Sequence, residues 1–73
     1  MAEINCGYEI VARRVVDEEK GHYVVLGLNR EYGFWCTWLL SLKPGKEPYY
    51  YYGHYFMEKE QNARNDFAYR RFV

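Results

Sequence analysis

Two histidines, two cysteines and a run of four tyrosines are the residues here whose chemistry could go beyond packing. His54 stands in Gly53-His54-Tyr55-Phe56, where a strand gives way to a helical pattern. An imidazole there becomes a general base only with a nucleophile or a carboxylate within hydrogen-bond reach. The nearest acids along the chain, Glu58 and Glu60, belong to a solvated helical turn, so His54 is expected to orient the junction by a hydrogen bond. His22 follows a charged loop and is expected to be exposed. Cys6 and Cys36 form no CxxC motif and have no histidine pair beside them, which argues against both a zinc knuckle and a disulfide framework. Both are expected as free, reduced thiols, Cys36 being a small apolar residue of the core. The sequence has no P-loop, no GxGxxG and no nucleophile elbow, so no enzyme, no cofactor and no metal are expected.

The aromatic residues point elsewhere, to contact. They make up 21% of the chain, with nine Tyr, four Phe and two Trp, more than a core of this size requires. Tyrosine anchors interfaces well because a large ring with a hydroxyl is immobilised at little rotamer cost. Tyr49, Tyr50, Tyr51 and Tyr52 are consecutive, so on a strand only two can share a face: Tyr49 with Tyr51, or Tyr50 with Tyr52. One pair is expected in the core and the other at an interface. The same rings beside Arg13 and Arg14 would suit single-stranded nucleic acid, by stacking and phosphate contact. However, the two arginines face opposite ways on a strand and adjoin the acidic Asp17-Glu18-Glu19, so solvated edge charges are the better reading.

The elements that position these residues follow from hydrophobic period. Tyr8 to Val16 alternates, with Tyr8, Ile10, Ala12, Arg14 and Val16 on one face. Asp17 to Gly21 then makes a charged loop, and His22 to Leu28 returns as the second arm of a hairpin. Gly27 within it marks a bulge, a bend or a close backbone approach. After a turn at Asn29 to Gly33, Phe34 to Leu42 is apolar on both faces, the mark of a central strand covered on both sides. Lys43 to Pro48 holds two prolines and a glycine and must be a loop, and Tyr49 to about His54 forms the fourth strand. From Met57 to Phe72 there is no Gly or Pro, and Phe56, Ala63, Phe67 and Phe72 can share a stripe on one helix. Glu58 and Glu60 suit its N-terminus, and Arg70 and Arg71 its C-terminus. Glu58 or Glu60 with Arg64, and Asp66 with Arg70, read as surface pairs.

The expected fold is therefore α+β: a four-stranded antiparallel sheet followed by one C-terminal helix packed on one face, ββββα. With 73 residues and 8.9 kDa it forms one compact domain, 1–73. One helix covers one face, so the other would leave Trp35 or Trp38 uncovered with a tyrosine pair, more apolar surface than a soluble monomer usually shows. A homodimer or a protein partner on that face is expected. Ten basic and ten acidic residues give a formal charge of zero, which supplies no bulk attraction to nucleic acid or to an anionic membrane. No apolar run is long enough to span a bilayer and Met1 to Asn5 lacks the pattern of a secretory signal, so a cytoplasmic protein is expected.

Tyr23-Val-Val-Leu-Gly-Leu-Asn29, then Trp35-Cys-Thr-Trp38, then Tyr52-Gly-His-Tyr-Phe56 with Ala63 and Asp66 downstream, resembles small proteins carried on bacterial mobile elements. In these an LGxN turn, a TW strand and a GHYF junction before a helix recur in that order. The family has no assigned activity to carry over, and Met57 stands where it usually places a capping residue. The resemblance implies a setting in which small cofactor-free proteins act by binding, some of them blocking host defence nucleases as anti-CRISPR proteins do. The expectation it yields is a non-enzymatic inhibitor of a bacterial defence complex, binding through Tyr49, Tyr50, Tyr51, Tyr52, Trp35 and Trp38 or through Asp17, Glu18 and Glu19. A nucleic-acid-binding or regulatory protein and a structural homodimer are the alternatives.

Overall fold

The computed structural model describes residues 3–72. Five strands precede one helix: β1 (Ile4–Asn5), β2 (Tyr8–Asp17), β3 (His22–Asn29), β4 (Phe34–Ser41), β5 (Tyr49–Met57) and α1 (Glu60–Tyr69). The strands form one antiparallel meander in the order β1-β2-β3-β4-β5. The α+β class and the C-terminal helix are as expected, but the sheet has five strands, not four. The additional strand is two residues long, too short to show any period in sequence, and it is turned back onto β2 by Cys6 and Gly7, both at positive φ.

α1 packs across β3, β4 and β5. Its Ala63 and Phe67 pack onto Leu26 and Trp35 of the sheet, flanked by Ala12, Leu28 and Phe56. The expected stripe of Phe56, Ala63 and Phe67 thus faces the sheet, but Phe72 does not join it, because the helix ends at Tyr69. Its start also moves, from Met57 to Glu60: Met57 takes positive φ and ends β5, and Lys59 precedes the helix without a side-chain cap. The C-terminal end is closed from the sheet. Arg14 donates from Nε to the Phe67 carbonyl at 2.7 Å and from Nη2 to the Arg70 carbonyl at 2.5 Å. A guanidinium on these otherwise orphan carbonyls meets both their hydrogen-bond demand and the negative end of the helix dipole.

The opposite face holds Val25, Cys36, Trp38 and Leu40, flanked by Tyr8, Ile10, Tyr23 and Tyr50. This is the face expected to be open and to need a second copy or a protein partner to cover it. Instead the sheet curls on itself. Tyr8 of β2 and Tyr55 of β5 come within 6.1 Å, although β3 and β4 lie between their strands. Glu3 accepts from the Tyr50 hydroxyl and pairs with Arg13 at 3.2 Å, tying the two edges of the sheet together. Trp38 is left 3% exposed and Trp35, under the helix, 9%. The uncovered tryptophan that called for a dimer does not exist in the single chain.

Four register shifts interrupt the ladders, and one in β2 and one in β5 decide which face the residues discussed here take. In β2, Ile10 pairs with Gly27 but Ala12 with Leu26, so Val11 is extra and the alternation inverts. Tyr8 and Ile10 line the concave face, whereas Ala12 turns to the helix side and Arg14 reaches the end of α1. The expected shared face of Tyr8, Ile10, Ala12, Arg14 and Val16 is therefore split. In β5, Tyr51 pairs with Leu39 and His54 with Thr37, so Tyr52 and Gly53 together oppose Trp38, with Tyr52 at positive φ. β5 continues through this irregularity to Met57, beyond the expected end at His54. At Gly27 the expected close approach is found: a Cβ there would lie 3.0 Å from both Cys36 Sγ and a Trp38 ring carbon.

Both cysteines are free thiols, Cys6 exposed and Cys36 buried. Burial pushes the Cys36 thiol up to about 12 from 9.0, against a backbone hydrogen bond from Gly27 that favours the thiolate. At pH 8 one thiol per native chain, that of Cys6, should react with Ellman's reagent, and the second only after unfolding. The raised value also means that the thiol's contribution to stability is complete below pH 9 and is lost as pH rises from 9 towards 12. Rapid reaction of two thiols in the native protein would show that the concave face opens readily.

Candidate protein-binding surface

Both long hairpin loops, between β2 and β3 and between β4 and β5, lie at one end of the sheet, since the strands alternate in direction. The chain following α1 arrives at that same end: Phe72 stacks on His22 with centroids 3.8 Å apart and planes inclined by 5°. Phe72 also meets the edge of Tyr51 at 5.8 Å, and Tyr51 stacks on Tyr49 at 5.0 Å and touches Tyr52 at 5.1 Å. The result is a continuous aromatic row, Tyr52-Tyr51-Tyr49 and Phe72-His22. Tyr49 and Tyr52 are its most open members, 63% and 62% exposed. Tyr51 is half-buried, and burial with the neighbouring phenols of Tyr52 and Tyr49 raises its pKa above 10.0.

His22 also lines the next feature, an open cleft of about 660 Å³ walled by Glu18, Glu19, Lys20, Gly21, Tyr23, Leu42, Lys43 and Pro44. Glu18 and Glu19 thus stand at one end of the aromatic row. Asp17 is turned inward to the loop, where its Oδ1 accepts from the Lys20 amide at 3.2 Å and so fixes the acidic turn.

Of the residues singled out in the sequence, Tyr49, Tyr51, Tyr52, Glu18 and Glu19 come together here, and Tyr50, Trp35 and Trp38 do not. Tyr50 faces the concave side, 6.1 Å from Trp38, with its hydroxyl on Glu3. Trp35 lies under α1 with the Arg64 guanidinium 5.1 Å over its ring. The expected Tyr50/Tyr52 pair is broken by the extra residue in β5, and Tyr55 takes the place beside Trp38 that Tyr52 would have held, at 6.0 Å.

A polar cluster that sequence spacing did not reveal joins β4, β5 and α1. The fully buried Thr37 donates from Oγ1 to Asp66 Oδ2 at 2.6 Å, and the same oxygen lies 3.0 Å from His54 Nδ1. A carboxylate only accepts, so Nδ1 carries the proton in this contact. Arg70 donates from Nη1 to the Thr37 hydroxyl at 3.1 Å and to its carbonyl at 3.3 Å, and from Nη2 to the Tyr52 carbonyl. Partial burial lowers the Arg70 pKa, and Asp66 opposes that shift. His54 does orient the junction, but its partner is Asp66 on the helix, not Glu58 or Glu60. Nor are Asp66 and Arg70 an isolated surface pair, whereas Arg64 and Glu60 are paired on the helix at 2.7 Å as expected.

The arginines proposed for phosphate contact are occupied. Arg13 pairs with Glu3 and lies 5.2 Å from the Tyr23 ring centroid, and Arg14 holds α1. Arg30 pairs with Glu9 at 2.5 Å. Among the described residues no group of three His, Cys, Asp or Glu gathers as a metal site, and no helix is long and apolar enough to cross a membrane. Comparison with known proteins returns no match, whether with family models, curated proteins or solved structures.

Proposed function

We propose that this chain is a small non-enzymatic protein-binding module that inhibits a bacterial defence complex of CRISPR type. The observation that carries the binding reading is the aromatic row Tyr49-Tyr51-Tyr52 ending beside the acidic Glu18 and Glu19, all at one end of the sheet. Rigid tyrosines supply contact area and carboxylates at the rim supply charge complementarity to a basic partner surface. The engagement of Arg13, Arg14 and Arg30 weighs against a nucleic-acid ligand on the sheet, where phosphates would need free cations in succession. The defence setting rests on the LGxN, TW and GHYF resemblance.

The test is phage plaquing on cells whose CRISPR system targets that phage. Expression of the chain should restore plaquing by an order of magnitude or more. The folded double variants Tyr49→Ser/Tyr52→Ser and Glu18→Lys/Glu19→Lys should each lose that effect. No restoration against any CRISPR type tested would overturn the inhibitor reading. Binding of single-stranded DNA or RNA that weakens steeply with salt would replace the protein-binding reading by the nucleic-acid one.

A further inference from the structure

Tyr52 also lines a second cleft, of about 410 Å³, together with Gly53, His54, Arg70 and Arg71. We propose that it binds a single phosphate group, as free phosphate or a phosphate monoester. This goes beyond the protein-binding reading and stands without it.

The lining has two guanidiniums, an imidazole and a phenol, and no carboxylate. Such a set offers donors and asks for a ligand rich in acceptors, which a phosphate dianion is. Arg70 is already immobilised on Thr37 and the Tyr52 carbonyl, so its charge is in place before any ligand arrives. His54 is likewise held by Asp66 at Nδ1, which leaves Nε2 as the ring nitrogen available to a ligand. Asp66 itself is engaged from the other side by Thr37 and lines the adjoining cleft, not this one. Arg71 is exposed, and among the described residues it alone of the arginines makes no side-chain hydrogen bond or ion pair, so it is free to close over an anion.

One group fits better than a chain of them. The other arginines are held by Glu3, Glu9, Glu60 and the end of α1, so among the described residues no second free guanidinium stands by for a successive phosphodiester.

The experiment is a titration of the ¹⁵N-labelled chain with inorganic phosphate at constant ionic strength, with chloride as the matched control. Saturable shifts are expected at the Gly53, His54 and Arg71 amides, with an affinity in the millimolar range. Arg71→Ala should weaken binding by about tenfold, the usual loss for one charge-assisted hydrogen bond. Arg71→Lys should keep most of it, and Lys46→Ala, in the β4–β5 loop and outside the lining, all of it. A phosphate monoester should bind as phosphate does, and an unphosphorylated oligonucleotide more weakly. Linear, unsaturating shifts, equal affinity in Arg71→Ala, or tighter binding of the oligonucleotide would each overturn the proposal.

Discussion

Gly21→Ala should remove about 3–5 kcal/mol of stability, a large fraction of what a domain of this size usually has, at ~0.05–0.15 kcal/mol per residue. Two independent obstacles add. Gly21 sits at φ +68°, where an L side chain is disfavoured by about 1 kcal/mol or more. In addition its Cβ would fall 1.9 Å from the Leu42 carbonyl oxygen and 2.9 Å from the carbonyl carbon, which are backbone atoms and cannot swing aside. Nor can the two segments part easily, because Leu42 donates its amide to the Gly21 carbonyl at 2.8 Å and so stitches the β2–β3 loop to the end of β4. Gly45→Ala is the matched control: φ is +73°, but the space around it is open, so only the backbone cost of about 1 kcal/mol applies. Urea unfolding of the two variants measures the difference. If Gly21→Ala lost no more than Gly45→Ala, the contact with Leu42 would not be the constraint described.

Trp38→Ala should be nearly as damaging, at about 3–5 kcal/mol, the range for deleting a buried aromatic and leaving a cavity. The ring is the centre of the concave face. Tyr8 meets it edge-on at 5.5 Å, Tyr55 at 6.0 Å and Tyr50 at 6.1 Å, and Gly27 is bare of a side chain because the ring occupies that space. Without it the three tyrosines lose the surface they close upon, so unfolding should be accompanied in the native baseline by a collapse of the near-ultraviolet signal. Trp35→Ala should be milder, since that ring is partly covered by the exposed guanidinium of Arg64 and not by a ring of aromatics. A loss below about 1.5 kcal/mol for Trp38→Ala would mean that the tyrosines close the sheet by themselves.

What could be read from sequence was what local period controls. The strands around Ile10, Val25, Trp38 and Tyr50 and the helical stripe of Phe56, Ala63 and Phe67 each show their character within a few residues. Face assignment was lost where one extra residue intervenes, at Val11 and at Tyr52-Gly53, because a bulge inverts every later position and leaves no composition mark of its own. Curl was equally hidden: two strand edges joined through Glu3 and Tyr50 are 47 residues apart in the chain. The same holds for the His54-Asp66 contact, where the strand-to-helix corner, not spacing along one element, sets the distance. Of the binding surface, the tyrosine run and the acidic loop were visible as residues, but their meeting at one end of the sheet, with Phe72 and His22 between, depends on the meander.

The two kinks in β5 bear on solubility. This strand is an open edge of the sheet and carries four consecutive tyrosines, a segment whose β-propensity and lack of charge favour stacking between chains. Positive φ at Tyr52 and again at Met57 divides it into two short stretches, Tyr49 to Tyr51 and Gly53 to Phe56. Stretches of three and four residues make a poor template for a neighbouring strand, so the rings can stand exposed without the backbone beneath them seeding a fibril.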